Sequence, residues 1–270
     1  MKALVEVIRD PLRFGFGAVV IAVYVFLLLP IAIVVLASLN AGEYLTFPPQ
    51  GISLRWYGSF FSSQPFMDAF KLSLQVAATS MVCAAALGTS AALYYVRFAR
   101  GGKEALRFMV LAPLLLPEIL TAIALLFFYY QIGLGTRTLV GLQIGHVLIT
   151  LPFVFLSVCS ALYNINPSLE EAARSLGAGS WTVFRRITLP LIKPGVITGA
   201  MFAFIISFDL FSISLLLKGI GTTTLPIQLF DYLRWDYDPT AAAVSTVSIV
   251  MTLCVVLITD RLVGLRAVRF

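Results

Sequence analysis

Long apolar runs separated by short polar segments make up most of the chain. A membrane-crossing helix needs roughly 20 predominantly apolar residues in sequence. Six runs meet this length, at Phe14–Leu39, Ala69–Val96, Phe108–Gly133, Leu142–Tyr163, Gly195–Leu217 and Ala241–Thr259. The short alternating segments typical of a membrane β-barrel are absent from the sequence. The pattern therefore predicts an all-α polytopic membrane protein with six transmembrane helices.

The first apolar run follows Lys2, Arg9 and Arg13 and resembles the start of a secretory signal. It is much longer than the roughly 7 to 15 residues of a signal-peptide core, so we expect an uncleaved first helix. An arm over residues 1–13 would then precede one transmembrane domain over residues 14–270. Six spans place both termini on the same side of the membrane.

The basic residues indicate which side that is. Most of the 19 lysines and arginines fall in the termini and in the second and fourth connections. These are Lys2, Arg9, Arg13, Arg97, Arg100, Lys103, Arg107, Arg174, Arg185, Arg186, Lys193, Arg261, Arg266 and Arg269. By the positive-inside rule, both termini and the long 164–194 loop are cytoplasmic. The net charge of +6 thus reflects topology, and we expect no nucleic-acid partner.

Composition agrees with the membrane assignment and offers little catalytic chemistry. The chain is 60% hydrophobic and 12% charged, with a mean hydropathy of +0.96. Its three cysteines lie inside apolar runs, without the spacing of a metal site or a disulfide framework. The single histidine, His146, has no Glu or Cys companion nearby, so we expect a packed residue and no metal site.

Two loops on the predicted outer side, residues 40–66 and 218–240, mix aromatic residues with turn formers. Trp56 and Tyr57 lie in the first, and Trp235 and Tyr237 lie in the second. These side chains form either an interfacial aromatic belt in contact with membrane lipid or a docking surface for an extracytoplasmic protein. The acidic residues of the second loop, Asp231, Asp236 and Asp238, favour docking, and both interpretations stay open.

The 164–194 loop carries the strongest local signals for structure. Asn166-Pro167-Ser168 supplies an N-cap and a proline suited to the first helical turn, which predicts a helix start. Ser168 and Glu171 also have the spacing of a capping box. Gly177 and Gly179 then bracket a break that glycine permits through positive φ. A second helix is expected from Ser180 until Pro190 ends it. The loop is therefore predicted to be a helical hairpin.

The same loop resembles the EAA motif of binding-protein-dependent ABC importer permeases. Glu171-Ala172-Ala173 is followed after three residues by Gly177 and after nine more by Ile187-Thr188-Leu189-Pro190. Further segments resemble the spermidine/putrescine group of these permeases: Leu54-Arg55-Trp56-Tyr57, Pro117-Glu118-Ile119, Ser207-Phe208-Asp209 and Leu225-Pro226. The resemblance implies a type I importer (MetI-like) fold and a permease subunit of the bacterial inner membrane.

The resemblance also implies an assembly. Such permeases work as a pair, here expected as a heterodimer with a sister permease, on two copies of an ABC ATPase. The ATPase carries the ATP and Mg, so this chain would bind no cofactor and would not itself be an enzyme. A periplasmic or lipid-anchored binding protein would deliver the solute. The residues expected to contact the ATPase are Glu171, Ala172, Ala173, Arg174, Ser175, Leu176, Gly177, Ala178, Gly179, Leu189 and Pro190. Glu171 is further expected to hold the hairpin through a salt bridge to Arg174 or Arg185, or to cap its helix.

Intramembrane carboxylates are costly and therefore mark a candidate solute path. Glu118 in the third span and Asp209 in the fifth meet this description. Pro113 and Pro117 are expected to break the helix before Glu118. The alternative for Glu118 is therefore to cap the resumed turn or to pair with a basic residue of the partner subunit. Tyr129, Tyr130 and Ser207 are further candidates along the same spans. The resemblance implies a polyamine or a related organic cation or amino-acid-like solute, although Leu210 stands where related permeases often carry an acidic residue.

Other classes of protein share some of these features. A secondary transporter or channel would have a similar composition but would not need the hairpin motif, and uptake that persists without an ATPase would identify it. No HExxH, Gly-x-Ser-x-Gly or P-loop pattern of a membrane-embedded enzyme occurs in the sequence.

Overall fold

The computed structural model describes residues 11–134 and 138–263 of the chain. Lys2 and Arg9 of the N-terminal arm, Arg137, and Arg266 and Arg269 of the C-terminal segment lie outside the described residues. The cytoplasmic placement of both termini rests partly on these residues and stays a prediction.

Helices account for almost all regular structure in the described part. They are α1 (Pro11–Ser38), α2 (Arg55–Ser62), α3 (Gln64–Leu93), α4 (Lys103–Leu115), α5 (Glu118–Gln131), α6 (Leu139–Tyr163), α7 (Ser168–Ser175), α8 (Ser180–Val183), α9 (Leu189–Phe208), α10 (Phe211–Leu217), α11 (Leu225–Tyr232) and α12 (Thr240–Val263). Two π-helical turns, Tyr94–Phe98 and Phe184–Thr188, extend α3 and join α8 to α9. Among these residues β-structure is limited to one isolated bridge between Asn40 and Ile52.

Five of the helical segments are long and apolar enough to cross a membrane, and a bent pair raises the number to six. The five are Gly15–Ser38, Gln64–Phe98, Leu139–Tyr163, Ser180–Phe208 and Thr240–Leu262. The bent pair joins Lys103–Leu115 to Glu118–Gln131 at an angle of 108°. The predicted all-α class with about six spans is thus confirmed.

Two of the predicted spans contain a break. In the third, the break indicated by its prolines is confirmed and lies at Leu116 and Pro117, while Pro113 stays inside α4. The fifth was expected as one helix over Gly195–Leu217, but α9 ends at Phe208 and α10 begins at Phe211. Asp209 therefore lies in a break between two helices, and its predicted position inside a continuous helix is wrong.

The chain divides into two compact units, one of Met1–Ser63 with Tyr232–Val250 and one of Gln64–Asp231 with Met251–Phe270. In the first unit, the buried Asn40 organises the loop after α1: its side chain accepts from the backbone of Gly42 and Gln50 and donates to Tyr44. The indole of Trp56 donates to the Asn40 carbonyl at 2.7 Å. Trp56 is also buried, so it packs within this loop and does not form part of an exposed docking surface.

In the second unit, α3, α6 and α9 pack against one another around Val154. Gly88 of α3 and Gly199 of α9 face it from two sides. A Cβ on Gly88 would lie 2.8 Å from the Val154 Cβ, and one on Gly199 would lie 2.8 Å from the Val154 Cα. Such close approach is how membrane helices gain packing energy, since burial from lipid offers no hydrophobic gain.

Candidate functional site

The EAA hairpin, defined here as residues 164–194, begins with a capped helix. The carbonyl oxygen of the Asn166 side chain accepts from the Ser168 backbone N–H at 3.1 Å. Ser168 is already the first residue of α7, and its side chain makes no capping bond. The predicted capping box of Ser168 with Glu171 is therefore wrong: the helix starts where expected, but Asn166 supplies the side-chain acceptor.

The C-terminus of α7 closes in a Schellman motif. The N–H of Ala178 donates to the Ala173 carbonyl at 3.0 Å, and the N–H of Gly177 donates to the Arg174 carbonyl at 2.9 Å. Gly177 has a φ of +84°, which the motif requires and which L side chains rarely adopt. The predicted positive φ is confirmed at Gly177. It is wrong at Gly179, which has an extended backbone with φ −67°.

The second arm of the hairpin runs on into the fifth span. Pro190 was expected to end it but is the second residue of α9, and Pro194 lies inside α9. The π-helical turn Phe184–Thr188 explains this continuity: the N–H of Leu189 donates to the Phe184 carbonyl, five residues back. A proline has no backbone N–H and would interrupt a regular α-helix. The wider π-helical turn just before Pro190 tolerates this missing donor, so the helix continues.

The tip of the EAA hairpin exposes large apolar side chains. Leu176 is 89% exposed and Trp181 is 69% exposed. The Trp181 ring lies 5.5 Å from the ring of Phe184, so the two aromatic residues partly cover each other. Glu171, Arg174 and the small residues of the motif lie on the same hairpin.

A buried polar contact ties the hairpin to two spans. The carboxylate of Glu170 accepts from the Arg97 guanidinium at 3.1 Å and from the Thr188 hydroxyl at 3.0 Å, through the same Oε1. Glu170 is only 8% exposed. A salt bridge from Glu171 to Arg174 or Arg185 was expected, but no such pair forms among the described residues. The bridging carboxylate is the preceding residue, and its partner lies 73 positions away, where no local pattern indicates it.

A cavity of about 770 Å³ adjoins this contact. It is lined by Arg97 and by Glu170, Arg174, Trp181 and Phe184 of the hairpin. Charged and aromatic side chains therefore share one concave surface next to the exposed tip.

The two carboxylates predicted to lie within the membrane are both found at helix breaks. Glu118 is the first residue of α5, directly after the break at Pro117, and Asp209 follows the last residue of α9. Both residues are exposed. The helices beyond the breaks, α5 and α10, pack against each other, and Ala122 and Leu210 belong to the same buried cluster. Pro117 holds the N-cap position of α5, so Glu118 lies one residue inside the helix and its charge remains accessible.

Three polar side chains meet beside the second break. His146 of α6 is 1% exposed, and its Nδ1 lies 2.8 Å from Ser207 Oγ while its Nε2 lies 3.0 Å from Ser214 Oγ. His146 is packed, as the sequence suggested, but its partners lie 61 and 68 residues away and were not predicted.

The tyrosines of the candidate path differ from each other. Tyr129 is buried, and its hydroxyl donates to the Gly141 carbonyl at 3.0 Å, whereas Tyr130 is 74% exposed. The role in a solute path predicted for Tyr129 and for Ser207 stays a prediction, and both side chains are buried in this structure. The side chain of Tyr130 is accessible to a solute without any rearrangement.

Two of the three acidic residues of the second outer loop, Asp231 and Asp238, are engaged within the protein, whereas Asp236 is exposed. Asp231 accepts from Lys218 at 2.9 Å. Asp238 accepts from the Tyr232 hydroxyl and from the Thr240 backbone N–H, both at 2.8 Å. Burial, followed by the hydrogen bond to Asp238, raises the pKa of Tyr232 to about 12. The exposed aromatic residues Trp235 and Tyr237 are the better candidates for a docking surface.

The fold is that of the membrane subunits of ABC importers. A bacterial ABC transporter involved in the import of the acidic polysaccharide alginate superposes with a TM-score of 0.75 at 20% identity, covering all of both chains. Residues 84–267 match the family described as binding-protein-dependent transport system inner membrane component.

Curated relatives agree with this family. The putrescine transport system permease protein PotI of Escherichia coli K12 is 35% identical over 246 residues, covering 89% of this chain and 86% of the relative. The spermidine/putrescine transport system permease protein PotC of Haemophilus influenzae is 31% identical over 247 residues, covering 90% and 94%. The chain therefore belongs to the family of inner membrane components of binding-protein-dependent transport systems. The predicted permease subunit and its MetI-like fold are confirmed.

Proposed function

We propose that this chain is one of two sister permeases in an ATP-driven importer of a bacterial inner membrane, and that its EAA hairpin docks on a separate ATPase. The observation that carries the proposal is the hairpin tip, where Leu176 and Trp181 are exposed beyond a rigid Schellman turn. Large apolar side chains at such a position are expected to be covered by a partner. The motif residues Glu171 to Gly179, with Leu189 and Pro190, form the docking segment.

In this assembly two copies of the ATPase bind ATP and Mg, and the permease itself is not catalytic. Closure of the ATPase pair displaces the hairpin tip. The Arg97–Glu170–Thr188 contact then carries that displacement to the end of the second span and to the start of the fifth. A periplasmic or lipid-anchored binding protein docks on the outer loops, where Trp235 and Tyr237 are exposed.

The solute that the pathway fits best is an organic cation with amine groups, of which putrescine is a suitable probe. Its support is the pair of exposed carboxylates, Glu118 and Asp209, at two helix breaks whose outer helices pack together. The names of the two relatives point to the same class. Leu210, which stands where related permeases often carry an acidic residue, is only 4% exposed. An acidic side chain at this buried position would not contribute to the accessible surface of the break. The presence of leucine there therefore does not reduce the accessible negative charge.

The test is uptake of radiolabelled putrescine into proteoliposomes that contain the complete importer, with and without ATP on the ATPase side. Uptake is expected only with hydrolysable ATP. It should fall in Asp209→Asn and Glu118→Gln and stay unchanged in Glu104→Gln, whose carboxylate is well exposed next to Arg107. Uptake that continues without ATP would indicate a secondary transporter. Normal putrescine uptake in both carboxylate variants would exclude the proposed cation path.

A further inference from the structure

We propose that His146 is a positioning residue for transport: it clamps the break between α9 and α10 and so fixes the backbone that presents Asp209. This inference rests on the proposed role of Asp209 in the cation path. His146 itself is buried and does not reach the solute. It acts through Ser207, on one side of the break, and Ser214, on the other.

Hydrogen-bond donors and acceptors fix the direction of this network. The hydroxyl of Ser214 donates its only proton to the Leu210 carbonyl at 2.6 Å. It can therefore only accept from His146, whose Nε2 must carry the proton. In a neutral imidazole Nδ1 is then an acceptor, and the Ser207 hydroxyl donates to it. Every polar atom of this buried cluster is satisfied in one arrangement, which makes it specific as well as stabilising.

The local sequence does not explain why the helix breaks at Asp209. Neither Gly nor Pro occurs in Ser207-Phe208-Asp209-Leu210-Phe211, and most residues on either side of this segment are apolar. The backbone nevertheless leaves the helix, with Asp209 at φ −96°, ψ 7° and Leu210 at φ −70°, ψ 97°. A contact from outside this segment must therefore hold it open.

The geometry of the clamp requires the break. Ser207 and Ser214 are seven positions apart, which in an uninterrupted α-helix advances about 10.5 Å for serines in the same rotamer. One imidazole ring with hydrogen bonds of 2.8 Å and 3.0 Å on its two nitrogens does not reach that far. The two contacts are compatible with the broken form and not with the straight one. Losing His146 would loosen residues 207–214 and would displace the Asp209 carboxylate.

The experiment uses the complete importer in proteoliposomes, with putrescine as probe and saturating binding protein. The variants are His146→Leu, His146→Gln, Ser214→Ala, Asp209→Asn and the double variant of His146→Leu with Asp209→Asn. Thr150→Val is the matched control. Thr150 is buried one turn further along α6, but its hydroxyl bonds only within its own helix, to the carbonyls of His146 and Val147.

We expect His146→Leu and Ser214→Ala to lower the maximal uptake rate about threefold to tenfold, the effect of losing one or two hydrogen bonds. His146→Gln should recover most of the rate, because one amide offers both an acceptor and a donor. The double variant should transport no worse than Asp209→Asn alone. Amide hydrogen exchange over residues 205–216 should become faster in His146→Leu and not in Thr150→Val.

The possible failures can be told apart. Normal uptake in Asp209→Asn would remove this carboxylate from the proposed cation path and would refute the clamp's effect on it. An impaired Asp209→Asn combined with a multiplicative loss in the double variant would refute the clamp alone. Unchanged hydrogen exchange in His146→Leu, or an equal loss of uptake in Thr150→Val, would also refute it.

Discussion

The guanidinium of Arg97 lies 3.1 Å from the carboxylate of Glu170, joining the end of the second span to the first helix of the EAA hairpin. Both side chains are largely buried, with 21% and 11% of their surfaces exposed. The same carboxylate oxygen holds Thr188, immediately before α9. If the ATPase docks on the hairpin as proposed, this contact would transmit a displacement of the hairpin to two spans.

Removing either charge of this pair should uncouple the importer. Arg97→Ala or Glu170→Ala leaves a largely buried charge without its partner, which typically costs about 3 to 5 kcal/mol. We expect each variant to lower the thermal stability of the purified complex and the uptake supported per ATP hydrolysed. A double-mutant cycle on both quantities should give a non-additive term, because the two side chains contact each other.

The chain offers a matched control for this cycle. Arg107 and Glu104 also form an ion pair, but at 4.0 Å and with 54% and 82% of their side chains exposed. Glu104→Ala should change stability by less than about 1 kcal/mol, because surface pairs contribute little. Additive effects at Arg97 and Glu170 would contradict the role given to their contact.

Gly177 should be replaceable only by a residue that accepts its backbone conformation. Its φ of +84° costs a β-branched residue about 1 to 2 kcal/mol, whereas Asn tolerates this region much better. No atom other than its neighbours would lie within 4 Å of an added Cβ, so steric contact is not the obstacle. Gly177→Val should therefore reduce ATPase stimulation by the binding protein, and Gly177→Asn should retain most of it. Equal activities of the two variants would show that the turn geometry is not required.

The exposed tip of the hairpin should determine attachment of the ATPase. Leu176→Glu places a charge where an apolar contact is proposed, so less ATPase should remain bound during purification of the tagged permease. Ile220→Glu is the control, since Ile220 is also fully exposed but follows α10 at the other end of the fifth span. Undiminished ATPase recovery with Leu176→Glu would place the contact elsewhere on the chain.

Helix existence and the hairpin were predictable because both depend on local signals. Apolar runs of sufficient length must be helical in a membrane, and a glycine three residues after Glu-Ala-Ala indicates the turn that Gly177 makes. The local sequence gave no signal for the break after Phe208, since the predicted span continues through it. It depends on His146, whose two partners lie more than sixty residues away.

The predictions made from a proline and from a charged residue were wrong, because the surrounding structure overrides their local preferences. Pro190 was expected to stop a helix, yet the preceding π-helical turn carries the chain past it. Glu171 was expected to form the stabilising ion pair, yet Glu170 faces Arg97. Adjacent helix residues point about 100° apart, so only the fold decides which of two neighbouring carboxylates is buried.

Packing of the second unit should be most sensitive to substitution at the glycines that allow two helices to touch. A Cβ on Gly199 would lie 2.8 Å from the Val154 Cα, which is backbone and cannot turn aside. Gly199→Ala should therefore push α9 away from α6 and destabilise the protein by about 1 to 3 kcal/mol. Gly58 of α2 is the matched control, because an added Cβ there would meet nothing within 4 Å. Gly58→Ala should be neutral or stabilising by up to about 1 kcal/mol, since Ala favours a helix interior. Thermal unfolding of the detergent-solubilised protein measures both variants, and equal melting temperatures would contradict the tight contact of α9 with α6.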